Sequence, residues 1–317
     1  MRRYFSLASA LAIAFLIAPT SASAFPTKDV EYIIPFAPGG ESDIAARLQQ
    51  PIFQDVTGKQ LIVKYQPGAG GAQAWSQLNK MPADGHTIMG VNLPHVILQP
   101  MQTNAGFETE DLTPVYWFHY TPDAILVPAN SQFKTLKDLI DHAKKNPGAV
   151  TFSGSGSNSA NHLAQQRFDK LAGTKTTYVP FGGTGPSVTA LLGNQVMASF
   201  GYSTIAENQG DKVRMLAVAS DERLPSAPDV PTFKESGIDM VGGAYRGIGV
   251  PKPTPEAVRK QVSDIFTKIN ADPRMIKAMN DGGFVVLNVP YEKMNEFMSK
   301  QKQETGEIAQ EMGIKKQ

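Results

Sequence analysis

Two short glycine-rich stretches carry the residue types best suited to holding an anion. Pro38-Gly39-Gly40 follows an apolar run at residues 30–36 and precedes Ser42-Asp43 and apolar residues at Ile44, Leu48 and Ile52, which is helical spacing. A strand that turns through glycine into a helix start aims unpaired backbone N–H groups and the positive end of the helix dipole at one point. Anion binding is the chemistry open to such a junction; the plainer alternative is a tight turn that needs glycine. Residues 153–159, made only of Ser, Gly and Asn, follow a second apolar run at 150–152. They are poor core material and good donors, which favours contact with a ligand. Asp43 is expected to satisfy backbone donors of the first helical turn, and Glu41, which would repel a carboxylate, is expected to point away.

Other chemistry-bearing residues read less sharply. Gly68, Gly70 and Gly71 have the spacing neither of a dinucleotide fingerprint nor of a phosphate loop, and close packing at a helix start accounts for them. His162 is expected to be structural, whereas His95, at a strand end, fits a structural or a ligand role equally; neither has metal-ligand spacing. Arg246 beside Tyr245 either forks onto a carboxylate or bridges two domains. Phe36, Tyr202 and Tyr245 are site walls or core.

These residues need elements to position them. Strands are expected at residues 30–36, 61–65 and 87–91, with helices after the first glycine loop and from Gly71 through Trp75 and Leu78. Strands separated by helices indicate a parallel sheet with helices on its faces, and ligands of such sheets sit beyond the carboxyl ends of the strands, where both loops lie. Residues 113–127, rich in aromatic and β-branched types, cross into a second α/β unit. That unit holds helices at 136–145, capped by Thr135, at 160–171, and from a glycine turn through Leu192, with strands at 150–152, 176–179, 197–200 and 213–219. Residues 245–250 are the return crossing, and helices at 255–269 and 291–312 close the first unit. The expected organisation is thus residues 1–24 as a secretory signal peptide, 25–126 and 246–317 as one domain, and 127–245 as the other.

The signal peptide is read from Arg2-Arg3, the apolar residues 7–17 and the small-residue end Ala22-Ser23-Ala24, with cleavage after Ala24. The chain has 30 Lys+Arg, 29 Asp+Glu and no cysteine; losing Arg2 and Arg3 leaves 28 against 29, a net charge of −1. Near-neutrality without a basic run gives no case for nucleic acid, and the absence of cysteine excludes disulfides and a Cys-linked lipid. Export to a bacterial periplasm as a monomer without cofactor is expected.

Taken in order, Pro35-Phe36-Ala37-Pro38-Gly39-Gly40 with Asp43, Pro67-Gly68-Ala69-Gly70-Gly71, Asp84-Gly85-His86-Thr87, residues 153–163, Pro180-Phe181-Gly182-Gly183 and Pro228-Asp229-Val230-Pro231-Thr232 resemble the solute-binding proteins of tripartite tricarboxylate transporters, the TctC or Bug receptors. The resemblance runs over essentially the whole mature chain. It implies a two-lobed α/β periplasmic binding protein of type II with two hinge crossings, which closes over an organic acid and delivers it to a membrane permease; no catalysis is implied. It further implies that one carboxylate is held by backbone and hydroxyl groups of Phe36, Ala37, Gly39, Gly40 and Ser42 from one lobe and of Ser153, Ser155, Asn158, Ser159 and Gly183 from the other. Amino-acid-binding relatives carry Asp after the strand ending at Phe200; Gly201-Tyr202-Ser203 stands here, which argues against an amino acid. Arg246, with Asn92 and His95, suits a second carboxylate or a hydroxyl. The ligand expected is a di- or tricarboxylate such as malate or citrate, with an aromatic carboxylate as the alternative. Discrimination among acids falls to Asn92, His95, Tyr202, Tyr245 and Arg246. An exported serine hydrolase using a loop serine with His162 or His95 is the competing class, without a nucleophile-elbow motif to support it.

Overall fold

The computed structural model describes residues 25–314, so the expected signal peptide lies outside the described residues. The first lobe opens with β1 (Val30–Ile34), α1 (Glu41–Thr57), β2 (Leu61–Tyr65), a short α2 (Ala72–Trp75), β3 (Thr87–Leu93) and α3 (His95–Gln102). β4 (Thr113–Pro128) carries the chain across. The second lobe contains α4 (Leu136–Lys145), β5 (Thr151–Gly154), α5 (Ala160–Ala172), β6 (Thr177–Pro180), α6 (Thr184–Leu192), β7 (Ala198–Tyr202), α7 (Thr204–Gln209) and β8 (Val213–Val218). β9 (Gly243–Val250) returns, and α8 (Glu256–Asn270), α9 (Pro273–Asp281), β10 (Val285–Val289) and α10 (Met294–Glu311) complete the first lobe.

One strand order, β2-β1-β3-β9-β4-β7-β5-β6, runs through both lobes, with β8 and β10 also paired to β4. β4 makes this possible because it is 16 residues long, pairing with β9 at Thr113 to Pro122 and with β7 at Asp123 to Leu126. Its Val115, Tyr116, Trp117 and Phe118 enter the core of the first lobe beside Ile34, Trp75 and Phe266, while Ile125 and Val127 enter that of the second beside Phe152, Phe168 and Phe200. A strand buried at both ends in different cores is anchored twice, leaving its middle as the floor between them.

The parallel pairing expected of strands separated by helices is present in each lobe, and the two crossing strands make the whole sheet mixed. β1 pairs in parallel with β2 and β3, and β5 with β6 and β7, but both crossing strands run antiparallel to their neighbours. The helix expected through Trp75 and Leu78 follows two positive-φ glycines, Gly70 at +61° and Gly71 at +102°, and is split after Trp75 into a four-residue α-turn at Ala72–Trp75 and a 3-10 turn at Leu78–Lys80. α3 was not anticipated. Pro94 stands at its N-cap, outside the intrahelical ladder. Among the described residues no helix is long and apolar enough to cross a membrane.

Candidate functional site

The first glycine loop is braced from within its own lobe. Gly40 is the N-cap of α1 and makes no side-chain cap. Asp43 Oδ2 instead accepts the Gly39 N–H at 2.9 Å, and its Oδ1 accepts from Tyr65 Oη at 2.5 Å and Arg47 Nε at 3.1 Å. Burial pushes the Asp43 pKa up, but these hydrogen bonds outweigh it and hold the carboxyl below its ordinary range. Asp43 is therefore an ionised brace, as its first-turn position suggests.

The second loop is braced likewise. Ser155 N–H and Oγ both donate to Asn161 Oδ1, at 3.0 and 2.6 Å, and Ser153 Oγ receives from Ser187 Oγ at 2.8 Å. Ser159 caps α5 by accepting the His162 N–H. The first loop meets the second lobe's turn before α6 through bare backbone. The Ala37 N–H donates to Gly182 O at 2.9 Å, and a β-carbon on Gly185 would stand 2.3 Å from Pro38 O. Gly70 packs on the second loop in the same way, where a β-carbon would stand 2.4 Å from Ser157 O. Gly70 is thus part of the seam between the lobes, whereas Gly68 and Gly71 pack on Gln73 and Trp75 of their own lobe, as a tight helix start requires.

Between the loops lies a pocket with a cavity volume of about 20 Å³, room for about one water molecule. Three helices that start on it, α1 at Glu41, α3 at His95 and α6 at Thr184, have no side-chain cap. Their first-turn N–H groups and dipole ends come from both lobes and share one small space. Phe36 and Tyr202 wall it, Ser42 and Ser155 bring hydroxyls, and Asn92, His95 and Arg246 line its floor.

Glu41 overturns one expectation. It does not point away: it lines the pocket at 4% exposure, accepting from Thr184 Oγ1 at 2.9 Å and Thr204 Oγ1 at 3.1 Å, with Arg246 Nη2 at 3.5 Å. A buried carboxylate needs a compensating charge, and Arg246 is that charge. Arg246 is also fixed by Thr121 Oγ1 and by Ala244 O at 2.7 Å, and it lies over the Tyr202 ring at 4.3 Å. The two alternatives for Arg246 merge, for it both lines the pocket and pairs with an acid whose Thr partners belong to the other lobe. His95 Nε2 accepts the Ala160 N–H at 3.2 Å. Burial first, then the nearby Arg246 charge, push the His95 pKa down to about 3; the ring is neutral, with its proton on Nδ1.

Of the residues singled out in the sequence, Phe36, Ala37, Gly40, Ser42, Asn92, His95, Ser155, Tyr202 and Arg246 converge on this pocket. Gly39 faces Gly185 across the seam, and Gly183 lies against Ala37. Ser153 and Ser159 are wholly buried in the second lobe's own hydrogen bonds, Asn158 lines an outer groove, and Tyr245 lies in a separate cleft beside α10. His162 stacks on Tyr178 at 4.5 Å. Sequence reasoning missed Thr184 and Thr204 and misplaced Glu41. An acidic residue set between Gly40 and Ser42 at a helix start was the available signal for a second charge nearby.

The family described as "Tripartite tricarboxylate transporter family receptor" matches residues 45–314. A protein of Cupriavidus necator, described as a UPF0065 protein in the gbd 5' region, is 31% identical over 263 residues, covering 82% of this chain and 80% of its own. A solved structure described as a periplasmic transporter is 29% identical with a TM-score of 0.86, covering 93% of this chain and 100% of that one. The periplasmic binding protein BugD is 26% identical with a TM-score of 0.85, covering 92% and 100%. The two-lobed α/β fold is that of a periplasmic binding protein.

Proposed function

Because the chain belongs to the tripartite tricarboxylate transporter receptor family, we propose that it is a periplasmic receptor that captures a small organic acid between its lobes and delivers it to a membrane permease. The convergence of three uncapped helix starts from both lobes on one pocket carries this reading. A carboxylate placed there accepts N–H groups that are otherwise without a capping acceptor, in a site shielded from water. The Ser42 hydroxyl adds a donor, and Phe36 and Tyr202 pack the carbon skeleton. The pocket is too small for such an acid with the loops in contact, so the lobes part to admit it. Residues 25–126 with 246–317, and residues 127–245, are the bodies we assign to that motion, with β4 and β9 as the hinge.

Malate and citrate, the acids expected from the sequence, belong in the first panel, together with aromatic and other monocarboxylates. The serine-hydrolase reading loses its partners: Ser155 donates to Asn161 and Ser153 pairs with Ser187, while His95 accepts from Ala160. Thermal denaturation of residues 25–317 with the acid panel tests the receptor reading. A bound acid at 100 times its dissociation constant stabilises the protein by about 2.7 kcal/mol, which raises the midpoint by several degrees. An unmoved midpoint across the panel defeats it.

A further inference from the structure

We propose that the pocket selects a monocarboxylate whose remaining polar group is an uncharged hydrogen-bond donor, a carboxamide or hydroxyl, because Glu41 already fills the second anionic position. The inference rests on the reading of the pocket as a carboxylate receptor and narrows its ligand. Both Glu41 oxygens are engaged by the second lobe, Oε1 by Thr204 and Oε2 by Thr184, with Arg246 alongside at 3.5 Å. Hydroxyls, an arginine and the start of α6 gathered around a carboxylate are what a ligand's distal carboxylate would require, and the protein's own side chain occupies them.

A diacid brought into the same space sets a second negative charge beside Glu41, where burial leaves little solvent to screen it. Arg246 cannot offset both, since one Nη is committed to Thr121 and Ala244 and the other faces Glu41. Its Nε is the donor left without a partner, and Asn92 Oδ1, on a residue 2% exposed and lining the pocket, is a buried acceptor without one. An acceptor on one wall and a carboxylate on another reward a donor on the ligand. An ammonium gains little, because the Glu41 charge is already paired by Arg246.

Isothermal titration of residues 25–317 with matched compounds decides the matter: succinate, succinamate and succinamide, and the glutarate series, which share a skeleton and differ in charge. The monoamides are expected to bind at least tenfold more tightly than their diacids, and Glu41→Gln to narrow that ratio at least fivefold. Diacids binding as tightly as monoamides overturn the inference and leave the receptor reading intact. Diamides binding as tightly as monoamides, or no compound binding at all, overturn the carboxylate reading itself. The wild-type ratios stand without the variant, so a Glu41→Gln protein that fails to fold does not spoil the test.

Discussion

Opposite charges buried side by side limit what substitutions the pocket tolerates. Glu41 and Arg246 are 4% and 3% exposed, and each is hydrogen-bonded beyond the pair itself. Removing one member leaves the other charged, dry and uncompensated. Arg246→Met is therefore expected to cost about 3–5 kcal/mol in urea denaturation. The double variant Glu41→Gln, Arg246→Met is expected to recover most of that loss, since it removes both desolvation penalties together. A single variant as stable as wild type would mean that the pair is hydrated and that Glu41 does not hold its charge in the pocket.

At the scale of elements, the site is built by helix starts and glycine turns more than by side chains. Backbone meets backbone across the seam because Gly39 faces Gly185 and Gly70 faces the second loop. Gly154 differs from these: a β-carbon there meets the Tyr178 ring inside the second lobe, 2.2 Å from its Oη, so a larger residue strains that lobe and does not plug the pocket. Gly185→Ala is the cleaner probe, with its methyl 2.3 Å from Pro38 O across the seam. The lobes are expected to stand apart in this variant, which small-angle scattering reads as a larger radius of gyration. Unchanged dimensions would show that the loops yield locally.

Across the whole molecule, β4 and β9 form the floor joining the lobes, and titrating groups near that floor, Asp123 and His95 among them, shape its response to pH. Burial raises the Asp123 pKa to about 7 despite the Arg246 and Arg167 charges. A carboxyl with a raised folded pKa lends stability below its unfolded value, and that stability is lost as pH climbs through about 7. His95, depressed to about 3, acts in the opposite sense: it lends stability above its unfolded value, lost as pH falls toward 3. Between roughly pH 4 and 6.5, the span between unperturbed Asp and His values, the two slopes oppose one another. Asp123→Asn removes the falling component, so its stability is expected to climb more steeply with pH across that window than that of the wild type. Parallel denaturation midpoints for the two proteins over the window would refute this.

Local patterns were enough for most elements. Thr135 and the periodicity behind it place α4 at Leu136–Lys145, and the aromatic, β-branched run at 113–127 marks the crossing strand, because capping and alternation are written in neighbouring residues. The two glycine loops and most of the pocket were legible for the same reason. Strand direction was not, since pairing β4 antiparallel to β9 joins residues more than a hundred positions apart. Nor was the fate of Glu41. Read alone it is an acid at a helix start that should avoid a ligand's charge; folded, it lies against Thr184, Thr204 and Arg246, contributed by distant elements. The sequence by itself determined which helix starts and glycine turns line the pocket, because both are local. Only the tertiary structure decided which anionic position the protein fills for itself, because pairing a buried charge depends on what the rest of the chain brings beside it.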